Sequence, residues 1–357
     1  MKKALLIRFG AYGDMVILSP VISRLKKNGY YIILHCGRRG AEVYKHDPRI
    51  DELIEGSEEA VPYEDLMKSW KKLKDKIKPD FFANFTQSIE HNIALHPTDP
   101  IYVYSKEDRF KECNKNYYEE TMKWAEFEIE PGDLPLKPEL HYTHDEQREA
   151  SSYIKTDRLN VLWCLSGSAK NKVYPFTEYV MGDLIRKYPD INFITVGDVK
   201  CKLLENVMHH LPEHNFTELA GEVSMRIAML LTCMVDLVVS PDTGILHASG
   251  CWDTPKIGLL GHTTKENITK HFVNDFSIEA QCPCSPCFHL IYDFDIQCPI
   301  EDVTHAAWCM AVGIPPEALF ERITHTLEQF YDTEEISKRG ETKECNPQAV
   351  SDLQCAN

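Results

Sequence analysis

Short, continuous apolar runs alternate with amphipathic stretches along almost the whole chain. Residues 4–7, 30–34, 81–85, 160–165, 193–196, 238–239 and 256–260 are too short for helices and rich in β-branched or aromatic side chains, which predicts buried strands. Between them the apolar spacing turns helical. Residues 15–27 read as one helix that Pro20 kinks or restarts. Residues 64–78 place Leu66, Trp70, Leu73 and Ile77 on one inward face. Strand and helix signals in alternation specify an α/β protein with parallel sheets covered by helices on both faces. At 357 residues the chain is too long for one average core. Residues 99–145 lose periodicity, and Pro131, Pro135 and Pro138 punctuate their end, so the division is expected near 145–155. One domain then covers residues 1–150 and a second 151–332. The polar tail, 333–357, predicts no packed structure.

Two strand-to-helix turns carry the candidate chemistry. In the stretch VVSPDTGILHASGCWDTPKIGLLGHT, residues 238–263, a strand stops at Ser-Pro and Asp242, Thr243 and Gly244 open a helix. Unpaired first-turn N–H groups and the helix dipole suit a phosphate there; alternatively, Asp242 or Thr243 simply caps the helix. The opening, KALLIRFGAYGDMVILSP, places Gly10 and Gly13 in the turn after the first strand and one carboxylate, Asp14, at the strand's C-terminal edge. In open α/β sheets that edge is where ligands bind. The three-glycine dinucleotide fingerprint and the Gly-Lys-Ser/Thr phosphate loop are both missing, so neither a dehydrogenase nor a nucleoside triphosphatase is supported.

These two turns resemble the first and second motifs of the heptosyltransferase family, glycosyltransferase family nine, whose type activity is ADP-heptose:lipopolysaccharide heptosyl transfer. Between them GSAKNKVYPFTEY, residues 167–179, is similar to the family's Lys-x-Trp-Pro segment, with Tyr174 in place of Trp. The resemblance runs over residues 3–330. It implies a GT-B fold, two Rossmann-like domains facing each other across a cleft, the first for the acceptor and the second for the nucleotide-sugar. It further implies an inverting sugar transfer, with heptose from ADP-heptose as the expected donor, in lipopolysaccharide biosynthesis. Asp14 would be the general base, though a first-turn carboxylate at that position also stabilises a helix on its own. Lys172 matches the lysine that neutralises the diphosphate, with Lys170 a close competitor. Ser166, Gly167 and Ser168 form the small turn before it, and Gly197 ends another strand at the donor edge. Asp242, Thr243, Gly244 and His247 complete the donor set, His247 being otherwise a buried core histidine. Gly10, Gly13, Arg38 and Gln87 fall on the acceptor side. Arg226 stands near where family members often carry an acid against the donor ribose, which leaves the donor base and sugar open.

Composition refines this picture. The net charge of −16 argues against a general polyanion binder, yet residues 1–50 carry +7 against −23 for the rest, a basic patch beside Asp14 for an anionic acceptor. A glycan, a lipid-linked glycan or a protein can be the acceptor; a modified DNA base, or a non-catalytic sugar-binding role, is the alternative. Nucleic acid is disfavoured by overall acidity. The longest apolar runs fall short of the roughly 20 residues that span a bilayer, and Arg8 interrupts the first of them. A cytoplasmic location is therefore expected, free or peripheral on the inner membrane. Thirteen cysteines without a regular framework fit free or metal-bound thiols. Cys284 and Cys287 have knuckle spacing, Cys298 and Cys309 follow, and part of the family carries a similar series, one branch of it binding iron. A structural zinc or iron on these four cysteines is expected, with Cys282 spare or substituting for one of the four. Asp293-Phe294-Asp295 has the form of the metal-holding motif of other glycosyltransferases but lacks a leading strand, so catalysis is expected to need no metal or other cofactor.

Overall fold

The computed structural model describes residues 1–57, 63–94, 99–291 and 298–331. The chain divides into two compact units: residues 1–91 with 116–144, and residues 92–115 with 145–331. Residues 92–115, kept in the first half by the sequence pattern, thus pack with the second unit. The Asp293–Asp295 motif and the tail lie outside the described residues.

The first unit holds a four-stranded parallel sheet, order β3-β2-β1-β4, of β1 (Lys3–Arg8), β2 (Tyr31–Cys36), β3 (Glu52–Glu55) and β4 (Phe81–Asn84). Parallel strands covered on both faces should be continuously apolar, and β1 and β2 are buried at five consecutive positions. The expected helix after β1 is two: α1 (Tyr12–Ile17) and α2 (Ser19–Lys27), broken at Leu18 so that Pro20 falls in the first turn of α2. Proline is tolerated there because that N–H has no intrahelical partner. α3 (Arg38–Tyr44) follows β2, and α4 (Tyr63–Ile77) packs Trp70 against Ile7 and Phe9, with Leu66 alongside.

The second unit carries six parallel strands, order β10-β9-β8-β5-β6-β7. They are β5 (Leu159–Cys164), β6 (Ile191–Val196), β7 (Phe216–Glu218), β8 (Leu237–Pro241), β9 (Lys256–Leu260) and β10 (Ile278–Glu279). Every residue of β5, β6, β8 and β9 is buried, which places those strands mid-sheet. Trp163, Phe193, Val239 and Leu259 belong to one core with Leu319, Ile323 and Leu327 of the last helix, Pro316–Phe330. Side chains of this kind contribute about 1.5–3 kcal/mol each when fully buried. The order reverses between β5 and β8, and the loops after these two strands bring sequence-distant residues together. Among the described residues no helix is long and apolar enough to cross a membrane.

Candidate active site

In the first unit, the turn after β1 presents Asp14. Gly10 has φ +153°, and a Cβ there would come within 2.4 Å of the Asp14 carboxylate, so only glycine lets the turn close on that side chain. Asp14 Oδ2 accepts the Ala11 N–H at 2.7 Å, and Oδ1 lies 3.2 Å from the Arg8 guanidinium. Asp14 therefore does hold the helix start, and about a quarter of its side chain still reaches solvent. Arg8 is buried, donates to the Phe85 carbonyl and meets both carboxylate oxygens of Glu90 at 3.0 Å. Burial holds Glu90's carboxyl above its ordinary range, Arg8 pulls it back, and the Asp14 charge adds to the rise. One buried cation thus serves two carboxylates. Tyr12, beside Asp14, donates to Glu42 at 2.6 Å.

The remaining acceptor-side candidates are spread around this corner. Gly13 is buried in α1, and Arg38 and Gln87 are exposed, Gln87 giving its carbonyl to His91 at 3.0 Å. Four bases of the basic patch are paired with acids: Arg24 with Asp133, Lys26 with Asp51, Arg49 with Asp47, and Arg8 with Asp14 and Glu90. Arg38 and Arg39 at the start of α3 remain exposed.

In the second unit, the loops after β5 and β8 converge. Lys172 Nζ stands 3.3 Å from Asp242 Oδ2, and His247 Nε2 lies 3.5 Å from the other oxygen. His262, in the turn after β9, places Nε2 3.4 Å from Oδ2. All four side chains are buried. Burial alone would raise the Asp242 carboxyl, but Lys172 and the two imidazoles outweigh it and hold the group ionised, far below the carboxylate range. Gly167 makes the convergence possible, because a Cβ there would meet Lys172 Cδ at 2.7 Å and Thr243 Cγ2 at 3.0 Å.

Thr243 stands at the N-cap position of the helix Gly244–Ser249 without a side-chain capping hydrogen bond; its hydroxyl pairs instead with Ser240 at 2.9 Å. Lys170 is exposed while Lys172 is buried on Asp242, which separates the two competing lysines. Ser168 is exposed, and Ser166 contacts Cys201 Sγ at 3.0 Å. Gly197 closes on Cys201, whose Sγ a Cβ would approach to 2.5 Å. Arg226 is tied to Glu146 by two hydrogen bonds. Sequence reasoning missed Arg8, Glu90 and His262. His262 was visible only as the middle of the Gly-His-Thr turn, and nothing local marks Glu90.

With this geometry in hand, comparison with known proteins decides the family. The family model described as glycosyltransferase family 9 (heptosyltransferase) matches residues 111–294, just over half of the chain. The chain belongs to this family. Lipopolysaccharide core heptosyltransferase OpsX of Haemophilus influenzae is 30% identical over 143 residues, 40% of this chain, and the match spans 41% of that relative. Lipopolysaccharide heptosyltransferase 1 of Campylobacter coli is 22% identical over 307 residues, 75% of this chain and 88% of that protein. The structure of Escherichia coli ADP-heptose lipopolysaccharide heptosyltransferase II superposes with a TM-score of 0.62 at 15% identity, covering 92% of this chain and 99% of that one. The fold of this family 9 chain is of the GT-B class, with two parallel α/β sheets. The matched span contains Lys172, Asp242, His247 and His262; Asp14 lies before it.

The cysteines of this family 9 chain give a different result from the one expected. Ten described cysteines are free thiols, and Cys233 is disulfide-bonded, contrary to the expectation of free or metal-bound thiols only. Cys309 is part of the second core, and Cys282 and Cys298 pack against it. Four thiolates would suit tetrahedral zinc or iron. Yet among the described residues no three His, Cys, Asp or Glu side chains stand so as to hold an ion, and Cys284 faces Cys282 instead, Sγ to Sγ 3.4 Å. No chemistry below runs through a metal on Cys284, Cys287, Cys298 and Cys309.

Proposed function

We propose that this family 9 glycosyltransferase transfers heptose from ADP-heptose to a hydroxyl of a lipopolysaccharide core acceptor, with inversion at the anomeric carbon. The observation that carries the reading is the buried Lys172–Asp242 pair, assembled from the loops after two neighbouring strands beside the helix start at Gly244. Displacing a nucleoside diphosphate requires positive charge and N–H donors on the departing phosphates. Lys172 supplies the charge, Thr243 and Gly244 the backbone N–H groups, and His247 a further contact one turn on. On the first unit, Asp14 takes the proton of the attacking hydroxyl. Arg8 and the Ala11 N–H fix its direction, and its partial exposure leaves one face for the acceptor. Both curated relatives are named as lipopolysaccharide heptosyltransferases, which supports this donor and acceptor class.

A mass-spectrometric assay with ADP-heptose, GDP-sugars and UDP-sugars against heptose-deficient lipopolysaccharide tests the proposal. Release of ADP with a matching mass gain on the lipopolysaccharide is expected from ADP-heptose alone. Transfer from a GDP- or UDP-sugar, or transfer only to protein or DNA, would overturn the donor or the acceptor assignment respectively.

A further inference from the structure

We propose that His262 is a positioning residue of the donor site: it holds Asp242 by hydrogen bonding and so lets Lys172 leave that carboxylate for the diphosphate. The inference rests on the reading of Lys172 as the diphosphate's cation and goes beyond it by naming what releases Lys172.

Lys172 Nζ and His262 Nε2 approach the same oxygen, Asp242 Oδ2, at 3.3 and 3.4 Å, while His247 takes Oδ1 at 3.5 Å. A buried carboxylate stripped of its ammonium partner is costly, because removing one partner of a buried ion pair leaves an uncompensated charge. Lys172 can therefore turn to a phosphate only if other donors keep Asp242 satisfied. His262 is 1% exposed, and neither ring nitrogen meets a hydrogen-bond partner, so with Nε2 already 3.4 Å from Asp242 Oδ2 its single N–H is available to close on that carboxylate. Burial and the neighbouring Lys172 charge push this imidazole down to about 3, with Asp242 opposing and His289 adding to the fall, so it is neutral. A neutral imidazole adds a donor without a second cation to repel Lys172. Its backbone is held from behind: the His262 carbonyl accepts the Phe288 N–H at 2.8 Å. His289, next in that strand of contacts, stacks on Tyr102 at 4.3 Å.

The test is calorimetric titration of the full-length protein with ADP. His262→Leu is expected to weaken ADP binding about tenfold, and His262→Gln, whose amide nitrogen reaches the place of Nε2, to stay within about threefold of the parent. In an Asp242→Asn background, where Lys172 is no longer held by a charge, the added His262→Leu change should cost less than about twofold. A merely structural role would give neither the glutamine rescue nor this loss of coupling. If the leucine variant fails to fold, His262→Asn, whose amide stops short of Asp242, is expected to show the same weakening. Lys172→Ala runs beside them: if it leaves ADP affinity unchanged, the donor-site reading itself fails. If Lys172→Ala weakens binding while His262→Leu or His262→Asn binds as tightly as the parent, the role of His262 is overturned.

Discussion

Asp14 and Asp242 sit at equivalent corners, each just after the C-terminal end of a buried parallel strand and beside the start of a short helix. Their surroundings differ in every other respect. Asp14 shares one buried guanidinium with Glu90 and keeps about a quarter of its side chain in solvent. Asp242 is buried among an ammonium and two imidazoles. A carboxylate with more negative than positive charge around it, and an open face, suits proton abstraction. One with a surplus of donors is locked as an anion and serves to hold cations in place. On the function proposed above, the same local motif serves as a base in one unit and an anchor in the other, and the difference in surroundings comes from residues far away in sequence.

The comparison breaks most sharply at Asp14. Asp14→Ala is expected to lower turnover by about 10² or more while ADP affinity stays within about twofold. Steady-state kinetics and calorimetry together check it; turnover within a few-fold of the parent would remove the base from the first corner. At the second corner, Lys172→Ala should weaken ADP binding by about ten- to a hundredfold, the range expected for a lost charge-assisted hydrogen bond. Its effect on acceptor KM should be small. Thr243→Val should cost only about threefold, since the hydroxyl is engaged by Ser240 and the backbone N–H survives the change.

Acid should also separate the two corners. The imidazole of His262 titrates at about 3 when folded, against its ordinary value of about 6.5 when unfolded. Between those values the unfolded chain binds the extra proton, so stability falls as pH drops from about 6.5 towards 3 and is fully present above that window. The depressed Asp242 carboxyl acts in the same direction, its contribution being lost as pH falls below the unfolded carboxylate value of about 4. Thermal melts from pH 7 to pH 4 should therefore show a falling Tm, and His262→Gln should flatten the slope above pH 5. An unchanged slope in that variant would mean that the second corner is not the acid-sensitive one. The smallest effect belongs to Lys170→Ala: an exposed lysine off the Asp242 cluster should change ADP affinity by less than about twofold. A loss matching that of Lys172→Ala would reverse the choice between the two lysines.

Much of this was legible beforehand. Buried parallel strands announce themselves as continuous apolar runs, and Gly10, Asp14 and the Asp242–Gly244 turn stand at strand ends where the pattern breaks. The convergence of Lys172 on Asp242 was implied by motif order but not by any local signal. Arg8 read merely as an interruption of an apolar run, because nothing in sequence shows that Glu90 awaits it across the sheet. The break at Leu18 reflects competition between helical spacing and a proline that must occupy a first turn. The cysteines were legible only in part for a similar reason: spacing specifies which thiols can meet, whereas packing sets the contact of Cys284 with Cys282.

The path of residues 92–115 has a consequence for dissecting the protein. This segment packs with the second unit: Asn267 bonds the carbonyls of Cys113 and Lys115, Thr264 bonds Asn114, and Arg109 bonds the Cys287 carbonyl. A cut near residue 150 would therefore not yield two autonomous pieces. The amino-terminal fragment would carry an orphaned stretch of buried Tyr102 and Cys113, prone to self-association, and the carboxyl-terminal fragment would lack the cover over its β9 turn. Complementation by mixing such halves would have to be read as segment exchange between molecules, and a permuted chain that begins at residue 92 would keep the exchanged segment in covalent register with its own sheet.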